Sequence, residues 1–336
     1  MTLIQLKYLL GVVDNGLNIT AAAERLYTSQ PGISKQLRLL EQEVGVQVFS
    51  RKGKSLVAVT PAGATIVAYA RKILRDVENI RSVGQDLLSE QEGTLSIATT
   101  NTQARYVLPD VISQFHERYP GVNLELHQGT SEQIVDLVAE GRVDFAIATD
   151  SQSLFPDLNL LPCFQWDRIV LTKKDHPLAV ATEDLTLAAL AEHPLITYVF
   201  SSNRESSFMR AFENERLEAN VVFTARDADV IKTYVRLGMG VGVIAPMAIL
   251  EEDMTEFHAT CAKGLFPTVT TWIGMPRDRA LRRYMLDFIE LFAPHWPRES
   301  IELATTAESQ QVIDKLVDDI QLPTKSGLSK GVSAAA

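Results

Sequence analysis

The sequence predicts an α/β chain in three parts: a small helical head, a long linker helix, and a larger body in which strands and helices alternate. Three observations carry this. A cluster of turn-formers, "TSQPG" at 28–32, separates two short segments of helical period near the N-terminus. From Pro61 onward, apolar residues recur every three and four positions. Beyond residue 93, runs such as "TLSIATT" and "VDFAIAT" alternate with helical stretches, the pattern of an α/β body with mostly parallel sheets. A chain of 336 residues has room for two or three such domains.

Composition narrows the function classes. Apolar residues make up 46% and charged residues 22%, ordinary values for a soluble globular protein. No apolar run reaches the ~18 residues of a membrane span, and "MTLIQLKYLL" lacks a basic segment and cleavage site. The expectation is a cytoplasmic protein with no membrane contact. Cys163 and Cys261 have no metal-ligand spacing and are expected to be two buried free thiols. The net charge of −10 is unevenly spread: residues 1–65 carry seven Lys/Arg and four Asp/Glu, a local +3, which leaves −13 for the rest. A basic head can face phosphates while an acidic body is repelled by them.

In the head, Leu3, Leu6, Leu9, Leu10 and Val13 predict a first helix. Asn18 and Thr20 are start signals for a second, "AAAERLY", whose alanines permit close packing. Ser29 is placed to cap a third helix, with Pro31 in the first turn, where no N–H is needed. That helix buries Ile33, Leu37 and Leu40 and shows Gln30, Ser34, Lys35 and Arg38 on its other face. Such a helix-turn-helix brings the recognition helix's N-terminal residues to base edges. Gln reads adenine, Ser donates or accepts, and Lys or Arg reads guanine or holds phosphate. "SRKGKSLVAVT" reads as two strands around a glycine turn, with Arg51, Lys52 and Lys54 as phosphate contacts in a wing. Composition and period alone leave open a purely structural three-helix module with a solvated polar face.

The linker shows Ile66, Ala70, Ile73, Val77, Ile80, Gly84 and Leu87 at spacings of four and three, a seam for a coiled coil with a second copy. Arg71, Arg75, Glu78 and Arg81 are expected to face solvent or flank it. Packing against the helix's own domain is the alternative. "SEQEG" at 89–93 reads as a hinge. In the body, helices are expected over 103–119, 130–140, 204–217, 227–237 and 277–292. Ligands of open α/β sheets bind beyond the strands' carboxyl ends. The first such place is "IATTNTQARY", where Thr99, Thr100, Asn101, Thr102 and Gln103 precede or open a helix. It reads as an anion cradle without formal positive charge, or equally as a Thr-rich cap with no ligand. Thr149 ends a second strand, Trp166 offers a wall, and "FSSNR" offers Ser201, Ser202 and Arg204.

"AAAERLYTSQPGISKQLRLLEQEVGVQVFSR" followed by "TPAG" resembles the DNA-binding domain of LysR-type transcriptional regulators over some sixty residues. The family's recognition-helix pattern falls on Ser29, Gln30, Pro31, Ser34, Lys35, Gln36, Leu40 and Glu41. Gly32 stands where Ala is usual, which predicts a first turn that tightens on DNA, since Gly costs ~1 kcal/mol in a helix. "LYTSQPGISKQ", "TTNTQARY", "LPCFQWDR" and "FTARDADVIKTYVRLGMGVGVIA" are similar to the CysB branch, the sulfur-assimilation regulators, over nearly the whole chain. The resemblance implies a winged helix-turn-helix at 1–59, a dimerising linker helix at 60–89, and a periplasmic-binding-protein-like effector body. Its subdomain I would span 90–161 plus 268–295 and its subdomain II 162–267, with "LPC" and "LFP" as the crossovers. It implies effector-binding roles for Thr100, Thr102, Gln103, Thr149 and Trp166, and for Ser202 where that branch has Thr. The effector would be sulfate, thiosulfate, O-acetylserine or N-acetylserine. Asn101 stands where the branch often has His. The partners implied are promoter DNA, a homotetramer built as a dimer of dimers, and RNA polymerase during activation.

Enzyme readings find little support. "GMGVG" at 238–242 follows a helix and precedes a strand, the reverse of a dinucleotide-binding turn. No GxSxG elbow or paired-histidine motif occurs, so no catalytic residue, metal or cofactor is expected. "KKDHPLA" reads as a surface loop. An amphipathic C-terminal helix is expected over 296–323 and a disordered tail over 324–336. Three readings compete: a DNA-binding regulator of sulfur assimilation, a LysR-type regulator with an unrelated inducer, and a solute-binding protein or enzyme that does not bind DNA.

Overall fold

The computed structural model describes residues 1–326 except 54, 86–91, 150–154, 156–157, 182–183, 205, 278–280 and 318–319, together with the backbone but not the side chains of 75, 78, 79 and 81–85. Lys54, Leu87, most of the "SEQEG" hinge and residues 327–336 therefore lie outside it. Two compact units divide the chain near residue 90.

The first unit opens with α1 (Leu3–Asp14), capped by Thr2 and Gln5, and α2 (Ile19–Arg25), where Asn18 Oδ1 accepts from Thr20 and Ala21 N–H at 3.0 Å. α3 (Gln30–Val44) starts at its Ser29 cap and ends at Gly45, whose φ of +73° is the left-handed stop that glycine favours. Gly32 lies in the first turn of this helix, and its N–H donates to the Ser29 cap. β1 (Phe49–Lys52) and β2 (Ser55–Val59) pair antiparallel as the wing. α4 (Pro61–Gln85) begins with Gly63 so close to the wing that a Cβ there would sit 2.1 Å from the Val48 carbonyl oxygen. Ile33, Leu37 and Leu40 are buried as predicted, in a core with Leu9, Val12, Ala22 and Phe49.

The linker seam is corrected in part. Ala70 is fully enclosed in the head's own core, and Ile66 and Ile73 pack against it. Arg71 pairs with Asp14 of α1 rather than facing solvent. The seam's first half thus serves its own domain, and Ile80, 73% exposed, marks where the helix leaves that core.

The second unit contains two five-stranded sheets. In chain order its elements are β3 (Glu92–Thr99), α5 (Asn101–Tyr106), α6 (Leu108–Arg118), β4 (Gly121–Gln128), α7 (Ser131–Ala139), β5 (Phe145–Ala148) and β6 (Leu158–Trp166). Then follow β7 (Ile169–Lys173), α8 (Pro177–Val180), α9 (Leu187–Ala191), β8 (Leu195–Tyr198), α10 (Ser207–Asn214), β9 (Val221–Ala225), α11 (Ala228–Arg236), β10 (Val241–Ile244) and β11 (Phe257–Cys261). β12 (Val269–Pro276), α12 (Arg283–Phe292), α13 (Arg298–Thr306) and α14 (Gln310–Val317) complete it. Sheet order β4-β3-β5-β12-β6 defines subdomain I and β11-β7-β10-β8-β9 subdomain II.

Several expectations change here. The sheets are mixed: β12 runs antiparallel to β5 and β6, and β7 antiparallel to β10 and β11. "LPC" lies inside β6 rather than at a crossover. β6 pairs with β12 from Leu158 to Trp166, and Pro162 sits beside the register shift, where a missing N–H is tolerated. The chain passes to subdomain II at Asp167–Arg168. The helix expected over 103–119 breaks at Val107 because Pro109 opens α6. Cys261 is exposed and only Cys163 buried; both are free. The single helix expected over 296–323 is two helices, joined where Asn159 Nδ2 donates to the Ala304 and Ala307 carbonyls at 3.0 and 2.8 Å. The tail does not loosen at 324: Gln165 N–H donates to Pro323 O at 2.9 Å and Lys325 N–H to Gln165 O at 2.8 Å, which extends the β6 edge. Among the described residues, no helix is long and apolar enough to cross a membrane.

Candidate functional site: a base-reading helix face and an effector cleft

On α3, Ser29, Gln30, Pro31, Lys35 and Arg38 are exposed and Ser34 is half-buried. Ser29 Oγ accepts from Gly32 N–H at 3.3 Å, and Gln30 Nε2 donates to Ser34 Oγ at 3.2 Å. Lys35 and Arg38 form no ion pair among the described residues, so this face carries uncompensated positive charge. Arg51 differs from expectation. Its Nη2 donates to Glu41 Oε2 at 2.6 Å, while Glu41 Oε1 accepts from Val48 and Phe49 N–H at 3.0 and 3.2 Å. Arg51 thus ties the wing to α3, and Lys52, exposed beside the Gly53 turn, is the wing cation left free among the described residues.

In the body, an enclosed cavity of about 290 Å³ lies where the two sheets' carboxyl ends meet. Subdomain I supplies Thr100, Asn101, Thr102 and Gln103 from the start of α5, Thr130 and Ser131 from the start of α7, and Thr149. Trp166 forms the wall from β6. Thr100 caps α5 by position but makes no side-chain cap bond, so its hydroxyl is free to face the cavity. Gln103, 1% exposed, donates from Nε2 to Thr271 Oγ1 at 3.3 Å, and Trp166 Nε1 donates to the same oxygen at 3.3 Å. The other end of the Gln103 amide is buried with no partner. A buried polar atom without a partner is rare and marks a place for a ligand or water.

Five of the six expected effector residues therefore meet in one cavity. Ser202 does not: its Oγ donates back to Val199 O at 2.8 Å within a 3-10 turn, and it is exposed. That turn presents Val199, Phe200 and Asn203 instead. Four contributions escaped sequence reasoning. Thr271, on β12, holds both Gln103 and Trp166. Tyr198 ends β8, its hydroxyl accepts from Ala245 N–H at 3.2 Å, and it lines the same cavity as Thr102. Burial raises its pKa, keeping the phenol protonated. Arg226 lines the cavity with no ion pair among the described residues, and Glu132 lines it from α7, so the cradle is not purely uncharged. Arg226 stands between the end of β9 and the Asp227 cap of α11, and that strand-to-helix position is the signal that could have found it. The short α5, six residues long, gives less dipole than the longer helix expected, and side-chain donors carry correspondingly more.

Residues 3–64 match the family model for bacterial regulatory helix-turn-helix proteins of the lysR family, and residues 89–297 match the LysR substrate binding domain. The chain is 46% identical to the HTH-type transcriptional regulator CysB of Haemophilus influenzae, over 97% of this chain and 100% of that one. It is 38% identical to the transcriptional regulator cbl of Escherichia coli, over 92% and 98%. Among solved structures, the cofactor-binding domain of the Cbl transcriptional regulator superposes with a TM-score of 0.61 at 39% identity, over 65% of this chain and 95% of that one. Full-length OxyR from Pseudomonas aeruginosa gives 0.70 over 88% and 94% at 24% identity, a likeness of fold alone. The helix-turn-helix head and the body with its small cavity are thus those of the LysR family of transcriptional regulators, and this chain belongs to its CysB branch.

Proposed function

We propose that this regulator of sulfur assimilation reads promoter DNA with Gln30, Ser34, Lys35 and Arg38 and senses an acetylated serine in the cavity between its subdomains. The observation that carries the effector reading is the half-satisfied Gln103 amide beside free Thr100 and unpaired Arg226. A carboxylate suits Arg226, and an ester or amide group suits the Thr hydroxyls and Gln103. A cavity of about 290 Å³, at the small end of ligand pockets, is roomy for sulfate or thiosulfate alone. These anions are the competing ligands, and O- and N-acetylserine the favoured ones. Calorimetric titration of the four against the full-length chain tests this. Tight binding of sulfate with none of either acetylserine would reject it.

The linker helix, with Tyr69 and Ile80 exposed at 64% and 73%, is the surface for pairing protomers, and two pairs form the tetramer. Paired heads read half-sites about 34 Å apart, and the DNA-bound tetramer contacts RNA polymerase. Residues 1–59, 60–89 and the two subdomains divide these tasks. Replacing Gln30 or Lys35 by Ala is expected to cost about 1–3 kcal/mol of specific operator affinity for each lost base contact. Retardation assays with base-substituted operators check this; an unchanged sequence preference in both variants would remove the assignment.

A further inference from the structure

Lys232, on α11 of subdomain II, is only 4% exposed. A buried ammonium is costly unless paired and hydrogen-bonded. Its Nζ donates to Asp253 Oδ2 at 2.8 Å and to the Ala248 carbonyl at 3.1 Å, both in its own subdomain. Those two contacts would satisfy a purely structural lysine. A third acceptor, Asp229 Oδ1 at 3.0 Å, is shared with the other subdomain. Asp229 also accepts from Tyr106 Oη at 2.6 Å, and Arg105 Nε lies 2.7 Å from its second oxygen. Tyr106 and Arg105 are the last residues of α5 in subdomain I. Two cations and two carboxylates thus balance across the junction.

The placement couples this cluster to the cavity. α5 presents Thr100–Gln103 to the ligand space and reaches Tyr106 one turn later. Arg226 faces the same space just before α11, and Asp229 follows it by one turn. A ligand gripped at both ends pulls on two short helices whose next turns are joined through Asp229. Short hydrogen bonds tolerate little displacement, and packed interfaces choose between discrete arrangements rather than deforming smoothly.

We propose that Asp229, gripped by Tyr106 from one subdomain and by Lys232 from the other, is the positioning residue through which cavity occupancy sets the angle between the subdomains. This rests on the effector reading above. Arg105, 60% exposed, is screened by solvent and adds little. Burial and the bond to Asp229 raise the Tyr106 phenol, so it remains a donor at any physiological pH.

Two full-length variants test the proposal: Tyr106→Phe removes the donor and keeps the ring, and Asp229→Asn keeps the shape and removes the charge. With Cys261→Ser and one spin label on each subdomain, the effector-free wild type is expected to give a single narrow distance. Tyr106→Phe is expected to broaden that distance. It should still bind O-acetylserine, yet the effector-induced change in operator affinity is expected to shrink about fivefold or more, the scale of a lost allosteric coupling. Asp229→Asn is expected to do the same more strongly. An unchanged distance and unchanged coupling in Tyr106→Phe would overturn the proposal even if Asp229→Asn fails to fold. Failure of the effector reading looks different: no candidate metabolite would then bind the wild type, while the effector-free distances would still decide whether Asp229 holds the subdomains together.

Discussion

Replacing Thr100 and Thr102 together by Val is expected to abolish the effector's influence on operator binding and to leave effector-free operator affinity unchanged. Valine keeps the shape of threonine and removes the hydroxyl. Each hydrogen bond to a neutral ester or amide group is worth about 0.5–1.5 kcal/mol, so losing two weakens effector binding by roughly 10- to 10²-fold. The response then disappears from the concentration range in which the wild type switches. DNA affinity is spared because the reading face lies on α3 of the other unit. Thr102 lines the cavity together with Tyr198 of subdomain II, so Thr100→Val alone tests a single ligand contact. Isothermal titration and retardation with and without O-acetylserine provide the check. Persistence of the wild-type response in the double variant would show that the effector sits elsewhere.

Asp287→Ala is expected to be the most destabilising single change in the body. Asp287, 1% exposed, accepts from Tyr119 Oη at 2.5 Å, lies 2.7 Å from Arg118 Nη2, and pairs with Arg298. It ties α12 to α6 and α13. Removing one partner of a buried pair costs about 3–5 kcal/mol. The lower end applies here, because Arg298 keeps Glu290 and Glu302 and Arg118 is about half exposed. Burial opposes ionisation of Asp287, but the Tyr119 and Arg298 hydrogen bonds and the charges of Arg118 and Arg298 hold its pKa below the usual value. A depressed folded-state pKa gives stability that is present above the unfolded value, ~3.9, and is lost as pH falls through the folded one. Urea unfolding of wild type and variant at pH 7 and in acid should therefore show a gap that narrows on acidification. A gap independent of pH would mean that the carboxylate's charge contributes nothing.

What the residues determined by themselves was local. Ser29 and Asn18 accept from the N–H groups two or three positions on, Pro31 needs no donor, and the apolar stripe of α3 repeats at helical spacing, so the recognition helix follows from neighbours in sequence. The strand-to-helix turn at Thr100–Gln103 is legible for the same reason. Its side chains sit at a sheet's carboxyl end wherever that sheet is placed. Only the tertiary structure decided the rest. The "LPC" stretch reads as a crossover, yet Pro162 lies within β6 because β6 is an edge strand that bulges at the neighbouring Cys163, where a missing N–H is tolerated. Glu41 of α3 pairs with Arg51 of the wing, and α1 takes the first half of the linker seam that the three-and-four spacing alone offered to a second copy. Tyr198 and Arg226 reach the cavity from the ends of β8 and β9, in a different sheet from β3 and β6, and Thr271 joins Gln103 to Trp166 from β12 only after the chain has crossed back. Their roles depend on pairing across long sequence separations, where hydrogen-bond partners and burial are assigned by packing and leave no periodic trace in the order of residues.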